Sequence, residues 1–236
     1  MNLIPIQDIT LISSNVPEGE GSTRLMMFDD YLNTQTEFSD LIEVEIEFNN
    51  CDRVALFNID AYSVDLELTD DDTDTVVMTS FVDLEMSDGE YQQWIVEPVY
   101  IYANATLKIS INKLGSTAKC GLCAVGLSTN IGVTQYSPDL GFLDFSKKDV
   151  NDFGNTYLKA GNWAKVLRLR TMIDIGAVDD VFEDLVAVRG SLVIIEGNQG
   201  DTNYEALRVC GFFENWSIVI DNPTVAWIDY DTKGVI

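Results

Sequence analysis

Histidine is missing from all 236 residues of this chain. Its absence removes Ser-His-Asp and Cys-His catalysis, histidine general bases and histidine-ligated metals together. Positive charge is scarce as well: 14 Lys and Arg stand against 39 Asp and Glu, a formal charge of -25. Such a surface repels nucleic-acid phosphates and anionic lipids, so binding of DNA or RNA through a broad basic face is excluded. There is no run of 18 apolar residues, so no membrane span is expected. The opening MNLIPIQDITLISS lacks a basic stretch and a small-residue cleavage site, so no secretory signal is expected.

Cysteine is sparse, at four residues: Cys51, Cys120, Cys123 and Cys210. AKCGLCAVGL holds one C-x-x-C, which on spacing alone suits half a zinc site or a redox pair. A second such pair is missing and no helix pattern follows. In an extended strand, positions three apart also point to opposite faces. Cys120 and Cys123 therefore read as small buried hydrophobes, and no metal or cofactor is expected. Reduced thiols fit a protein that assembles in a cytoplasm.

What is present is a core and many strands. Apolar residues make up 46% of the chain, enough for packed domains. LIEVEIEF (41–48) alternates strictly. Ile42, Val44, Ile46 and Phe48 share one face, and Glu43, Glu45 and Glu47 the other, as in a half-buried antiparallel strand. The three glutamates read either as a solvated sheet face or as a cation site. RVALFNID, YSVDLELTD and VVMTSFVDLEM follow, the last two as a hairpin around DDDTDT (70–75). Asp70, Asp72 and Asp74 have calcium-loop spacing, but the loop lacks the sixth-position glycine and the closing glutamate of an EF-hand. With YQQWIVEPVYIY, ATLKISINKL and KCGLCAVGLS, the pattern predicts a β-sandwich over residues 1–131. Trp94, Tyr100 and Tyr102 are either strand-packing residues or a sugar-stacking surface.

The texture changes near Gly132. Residues 132–155, GVTQYSPDLGFLDFSKKDVNDFGN, read as a connecting arm punctuated by glycine. Beyond it, Leu167, Leu169 and Thr171 alternate with Arg168 and Arg170. VDDVFEDLVAVRG (178–190) is the one convincing helix, with Val178, Val181, Phe182, Leu185 and Val188 as its apolar stripe and Gly190 near its end. SLVIIEG, ALRVCGFFENW, SIVIDNP and TVAWIDYD complete a strand, helix, strand, hairpin order over 156–236. This predicts a small α+β domain with one helix on a sheet. Charge is also uneven. Residues 1–133 hold 23 acids and 5 bases, whereas six of the 14 bases fall between Lys147 and Arg170. That basic strip is either a solvated strand face or a contact with another subunit through Lys147, Lys148, Arg168 and Arg170.

One ordered string of residues adds a resemblance. Thr134-Gln135-Tyr136, Gly141, Asp144-Phe145-Ser146, Lys148 and Asp152-Phe153-Gly154 are followed by Lys165, Arg168, Arg189, Val193 to Gly197 and Gly211-Phe212-Phe213. It resembles a family of virion proteins of tailed bacteriophages found among tail and baseplate genes, over residues 132–223. Ser137-Pro138 departs from that pattern, where the family has glycine. The resemblance implies a mainly β protein, with a jelly-roll sandwich of the galactose-binding type followed by a tail-tube-like domain. It implies a non-catalytic structural role in the virion, made in the host cytoplasm. Its partners would be other copies of itself and other tail or baseplate proteins, with host-surface carbohydrate as the alternative. On this reading Tyr136, Phe142, Phe145 and Phe153 of the arm join the lysines and arginines as contact residues. A two-carboxylate glycosidase was the enzymatic alternative; with 39 acids, some pair always falls at a suitable distance, so abundance is no evidence for it.

Overall fold

A computed structural model of the chain describes residues 1–17, 25–29, 34–86, 89–135, 137–150, 154–197 and 206–235. The fold is mainly β, with one α-helix among the described residues. It forms two compact units, and their boundaries differ from the expected ones. Residues 6–128 form one unit; residues 1–5 join 129–236 in the other. The strand that opens the chain, β1 (Asn2–Pro5), belongs to the second unit, because its partners lie there.

The first unit is a five-on-three antiparallel sandwich. Its strands are β2 (Thr10–Ser14), β3 (Thr36–Phe48), β4 (Arg53–Phe57), β5 (Ser63–Asp70), β6 (Thr75–Asp83), β7 (Trp94–Pro98), β8 (Ala105–Cys120) and β9 (Leu122–Gly126). One sheet runs β2-β3-β8-β5-β6 and the other β7-β4-β9. The strict alternation in β3 buries Ile42, Val44, Ile46 and Phe48, as its sequence predicts. They meet Leu107, Ile109 and Ile111 of β8, Val64, Leu66 and Leu68 of β5, and Val54, Leu56, Ile95 and Val125 from the smaller sheet. Each fully buried aliphatic contributes about 1.5–3 kcal/mol of transfer free energy. The aspartate-rich tip needs no ion to hold it. The Asp70 carboxylate accepts from the Asp72 N–H at 3.1 Å and the Thr73 hydroxyl at 2.7 Å, closing the turn between β5 and β6.

The C-x-x-C does not behave as one extended strand. β8 ends at Cys120, the chain turns at Gly121 and β9 starts at Leu122 in the other sheet. Both thiols consequently enter the same sandwich core instead of opposite faces. All four cysteines are free and buried. Burial pushes the Cys51, Cys120 and Cys210 thiols up to about 12 and raises Cys123 well above its ordinary value. A protonated thiol is a poor nucleophile and a poor metal ligand.

The second unit carries β10 (Thr129–Asn130), β11 (Val133–Thr134), β12 (Asp139–Asp144), β13 (Lys147–Val150), β14 (Thr156–Lys159), β15 (Trp163–Asp174), α1 (Val178–Ala187), β16 (Val193–Glu196), β17 (Arg208–Ile220) and β18 (Val225–Gly234). Its large sheet runs β10-β1-β16-β17-β18-β15-β11, with β12 also paired to β15. The predicted helix lies against this sheet. Val181, Leu185 and Val188 are buried with Leu3, Leu167, Leu169, Ile195, Val209 and Ile228. Phe182, read as part of the same stripe, is half exposed and stacks edge-on against Trp216 at 5.5 Å. Two aspartates in the first turn, Asp179 and Asp180, complement the helix dipole, and the Asp174 carboxylate caps the preceding 3-10 turn. ALRVCGFFENW and SIVIDNP form one strand, not two; the irregularity between Phe213 and Asn215 marks the point where the pattern falters. Gly211 is required where β17 meets β18, since a Cβ there would lie 2.1 Å from the Lys233 carbonyl oxygen.

Candidate interaction surface

The stretch expected as a connecting arm is largely strand. Antiparallel to β15, β12 sets Phe142 opposite Lys165 and Leu140 opposite Leu167. The Asp144 carboxylate then accepts from the Ser146 N–H at 2.8 Å, and this turn starts β13. Those Ser146 hydrogen bonds hold Asp144 below the ordinary carboxylate range, with Lys148 adding to the effect. β13 pairs only with β14, so the two form a separate hairpin.

Every described side chain of β12, β13 and β14 is exposed. Phe142, Val150, Tyr157, Leu158 and Trp163 are each between 58% and 68% exposed. Phe142 and Trp163 meet edge-on at 6.4 Å, and the Lys233 ammonium sits 5.7 Å over the Phe145 ring. A concentration of large apolar side chains on a surface is the mark of an interaction site. Phe142 and Phe145 were anticipated from sequence. Val150, Tyr157, Leu158 and Trp163 were not; the signal was the apolar content of a segment without alternation. Tyr136 and Phe153 lie outside the described residues.

The basic strip divides into two parts of different character. Arg168 and Arg170 project from the β15 face opposite the helix and are already paired within the sheet. Arg168 meets Asp139 at 3.0 Å and Asp231 at 3.3 Å, and Arg170 grips Asp229 through two bonds of 2.6 and 2.9 Å. Lys165 is half-buried, donates to the Arg208 carbonyl at 2.7 Å, and is pulled down to about 8 by desolvation. Lys147, Lys148 and Lys159 have no ion pair among the described residues. Lys147 and Lys159 face each other across the hairpin, and Lys148 lies opposite Leu158. Like charges directly opposite one another destabilise a strand pair.

The three aromatics considered as a sugar surface do not share one. Trp94 begins β7 and Tyr100 lies beyond its other end, so about 20 Å of extended chain separates them. Tyr102 packs on the sandwich core. A different aromatic pair is exposed: Tyr62 and Tyr91, with centroids 5.1 Å apart. The Asp60–Lys113 ion pair is close by in the sequence, since Tyr62 donates its N–H to the Asn112 carbonyl. The Tyr91 phenol is raised, first by desolvation and then by Glu85, Tyr62 and Asp83, with Lys113 opposing.

Among the described residues, no three Cys, Asp or Glu side chains are grouped to hold a metal ion. No helix of the described chain is long and apolar enough to cross a membrane.

Against known proteins, no family model and no curated protein matches this chain. Among solved structures, it is similar to the lectin domain of lectinolysin complexed with Lewis B antigen. The identity is 15%, the TM-score 0.36, and the match covers 52% of this chain and 93% of that one. A histidine mutant of the same lectin domain matches at 16% identity and a TM-score of 0.34, over 53% of this chain and 100% of that one. No argument about function rests on likeness of this degree.

Proposed function

We propose that the chain is a non-catalytic structural subunit that works by assembling with other proteins, in the tail or baseplate of a tailed-phage virion. The observation that carries the assembling role is the surface of β12, β13, β14 and the start of β15, where Phe142, Val150, Tyr157, Leu158 and Trp163 are each more than half exposed and both faces of the hairpin are exposed. An isolated two-stranded hairpin is marginal in water and gains stability when a partner covers it. The virion location is supported by the residue string from Thr134 to Phe213. The four thiols are buried and protonated, and the chain has no histidine, so neither thiolate nor imidazole chemistry is on offer. Mass spectrometry of purified tailed-phage particles that encode this chain tests the location. The chain should be present at a copy number comparable to other tail proteins; its absence from intact particles sinks the reading.

A second reading is favoured by the exposed Tyr62–Tyr91 pair: the sandwich grips neutral host-surface glycans. Aromatic faces stack on sugar rings, and neighbouring carboxylates and Lys113 would bond the hydroxyls. On a glycan array the full chain should then bind, and Tyr62→Ala with Tyr91→Ala should abolish the signal. Binding that survives both changes, or no binding at all, rejects this reading.

A further inference from the structure

Among the described residues Lys147, Lys148 and Lys159 of the hairpin form no ion pair, as Lys165 and Arg189 form none, whereas most of the other bases do. Arg53, Lys108, Lys113, Lys119, Arg168, Arg170, Arg208 and Lys233 each meet a carboxylate. Strand alternation divides the hairpin between two faces: Lys147 and Lys159 share one with Tyr157 and Asp149, and Lys148 shares the other with Leu158 and Val150. In a chain with 39 acids, the face with Lys147, Lys159 and exposed Tyr157 lacks an acidic and partly apolar complement among the described residues.

That complement is present on the sandwich unit. The outer face of its larger sheet alternates against the core-facing set described above. Cross-strand register sets Glu45 and Glu67 on either side of Lys108, and Glu43 and Asp65 on either side of Ser110. Glu47 extends the same face of β3. Five carboxylates therefore surround one lysine, which is itself paired to Glu43 at 3.3 Å. Next to them, Phe81 is 65% exposed, opposite Asp65. It lines an open hollow of about 520 Å³ with Asp65, Glu67, Thr79, Lys108 and Ser110. Here an exposed aromatic is rimmed by negative charge, and one face of the hairpin offers Tyr157 beside Lys147 and Lys159.

We propose that the β13–β14 hairpin of one copy docks on the acidic outer face of the sandwich, over β3, β8, β5 and β6, of a second copy of this chain. This rests on the assembling role and names its partner. Lys147 and Lys159 meet Glu43, Glu45, Asp65 and Glu67, and Tyr157, which shares their face, covers Phe81. The charge complementarity selects the partner and orients it. Donor and acceptor are different patches on each copy, so the contact is head-to-tail and builds a ring if it closes and a filament if it does not.

The test uses the full chain and two charge reversals, followed by sedimentation velocity over a wide range of protein concentration. Wild type should self-associate, less so as salt rises. Lys147→Glu with Lys159→Glu should weaken association at least about tenfold, and so should Glu43→Lys with Glu45→Lys and Glu67→Lys. Mixing the two variants should restore it, because each then offers the other a complementary pair. All the substituted side chains are exposed or half-exposed, and near-native thermal unfolding confirms folding. Should this lysine variant fail to fold, Lys147→Gln with Lys159→Gln replaces it, with the same expected direction. Association of the lysine variant at wild-type strength overturns the hairpin as donor while the assembling role stands. Loss in both variants without restoration on mixing overturns the acidic face as acceptor. A wild-type chain that stays monomeric at every concentration tells against self-assembly itself.

Discussion

Leu3 offers the sharpest check on how the chain is divided. It sits in β1, is fully buried, and pairs with Ile195 of β16, although 192 positions separate the two. Its side chain joins the core formed with the helix and the large sheet, not the core of the sandwich that follows it in sequence. Leu3→Ala deletes three carbon atoms. At about 0.8 kcal/mol for each, the transfer loss is roughly 2.4 kcal/mol. The cavity left behind brings the whole into the usual range of about 2–5 kcal/mol for a buried Leu→Ala change. Because β1 lies next to the edge strand β10, neighbouring chain can relax into the space, and the lower part of that range applies, about 3 kcal/mol. A change of that size raises the population of the opened unit about a hundredfold.

Hydrogen exchange read by mass spectrometry on the full chain resolves where that opening occurs. Peptides covering 193–196, 208–213 and 225–230 should lose protection, and those covering 42–48 and 107–111 should keep theirs. Ile46→Ala, in the sandwich core, should give the reverse pattern. If Leu3→Ala instead exposes 42–48 and spares 225–230, β1 belongs to the sandwich and the division at residue 5 is wrong.

Three further outcomes follow from the geometry. Gly211→Ala must displace the β18 backbone at Lys233 and should destabilise by about 1–3 kcal/mol in thermal unfolding, whereas Gly141→Ala, with open space around it, should change little. The lowered Lys165 value makes stability depend on pH: the unfolded chain holds the proton more tightly than the folded one, so the second unit should gain stability as pH rises from about 8 towards the ordinary lysine value. Lys165→Met should flatten that rise; a slope unchanged by the substitution would show that another group causes it. The four thiols should react with a disulfide reagent only on unfolding, and rapid labelling of any of them in the native chain would contradict their burial.

Why some of this could be read from the sequence and some could not comes down to what each element is exposed to. β3 was legible because one face is buried and the other wet, so Ile42, Val44, Ile46 and Phe48 alternate with glutamates. The helix was legible from Val181, Leu185 and Val188, while Phe182 misled because an aromatic on the stripe's edge can stack on Trp216 without being buried. β12, β13 and β14 carry no such code, since their described side chains are exposed on both faces and nothing within the strand imposes alternation. β12 and β13 read as an arm for that reason. The placing of β1 left no local trace either: NLIP looks the same whether its partner is nearby or at Val193–Glu196. The candidate site shows the same division. Its chemistry, lysines among aromatics on an acidic chain, was visible as composition. Its geometry was not: a slip of one residue in hairpin register would set Lys147 opposite Leu158 or Ala160 instead of Lys159 and move side chains between the two faces. The same register leaves these lysines unpaired, while Arg168 and Arg170, a few residues further along the chain, fall opposite Asp231 and Asp229 and are satisfied within their own sheet. A basic strip in the sequence thus becomes two surfaces: a self-neutralised sheet face and a hairpin whose lysines form no ion pair among the described residues.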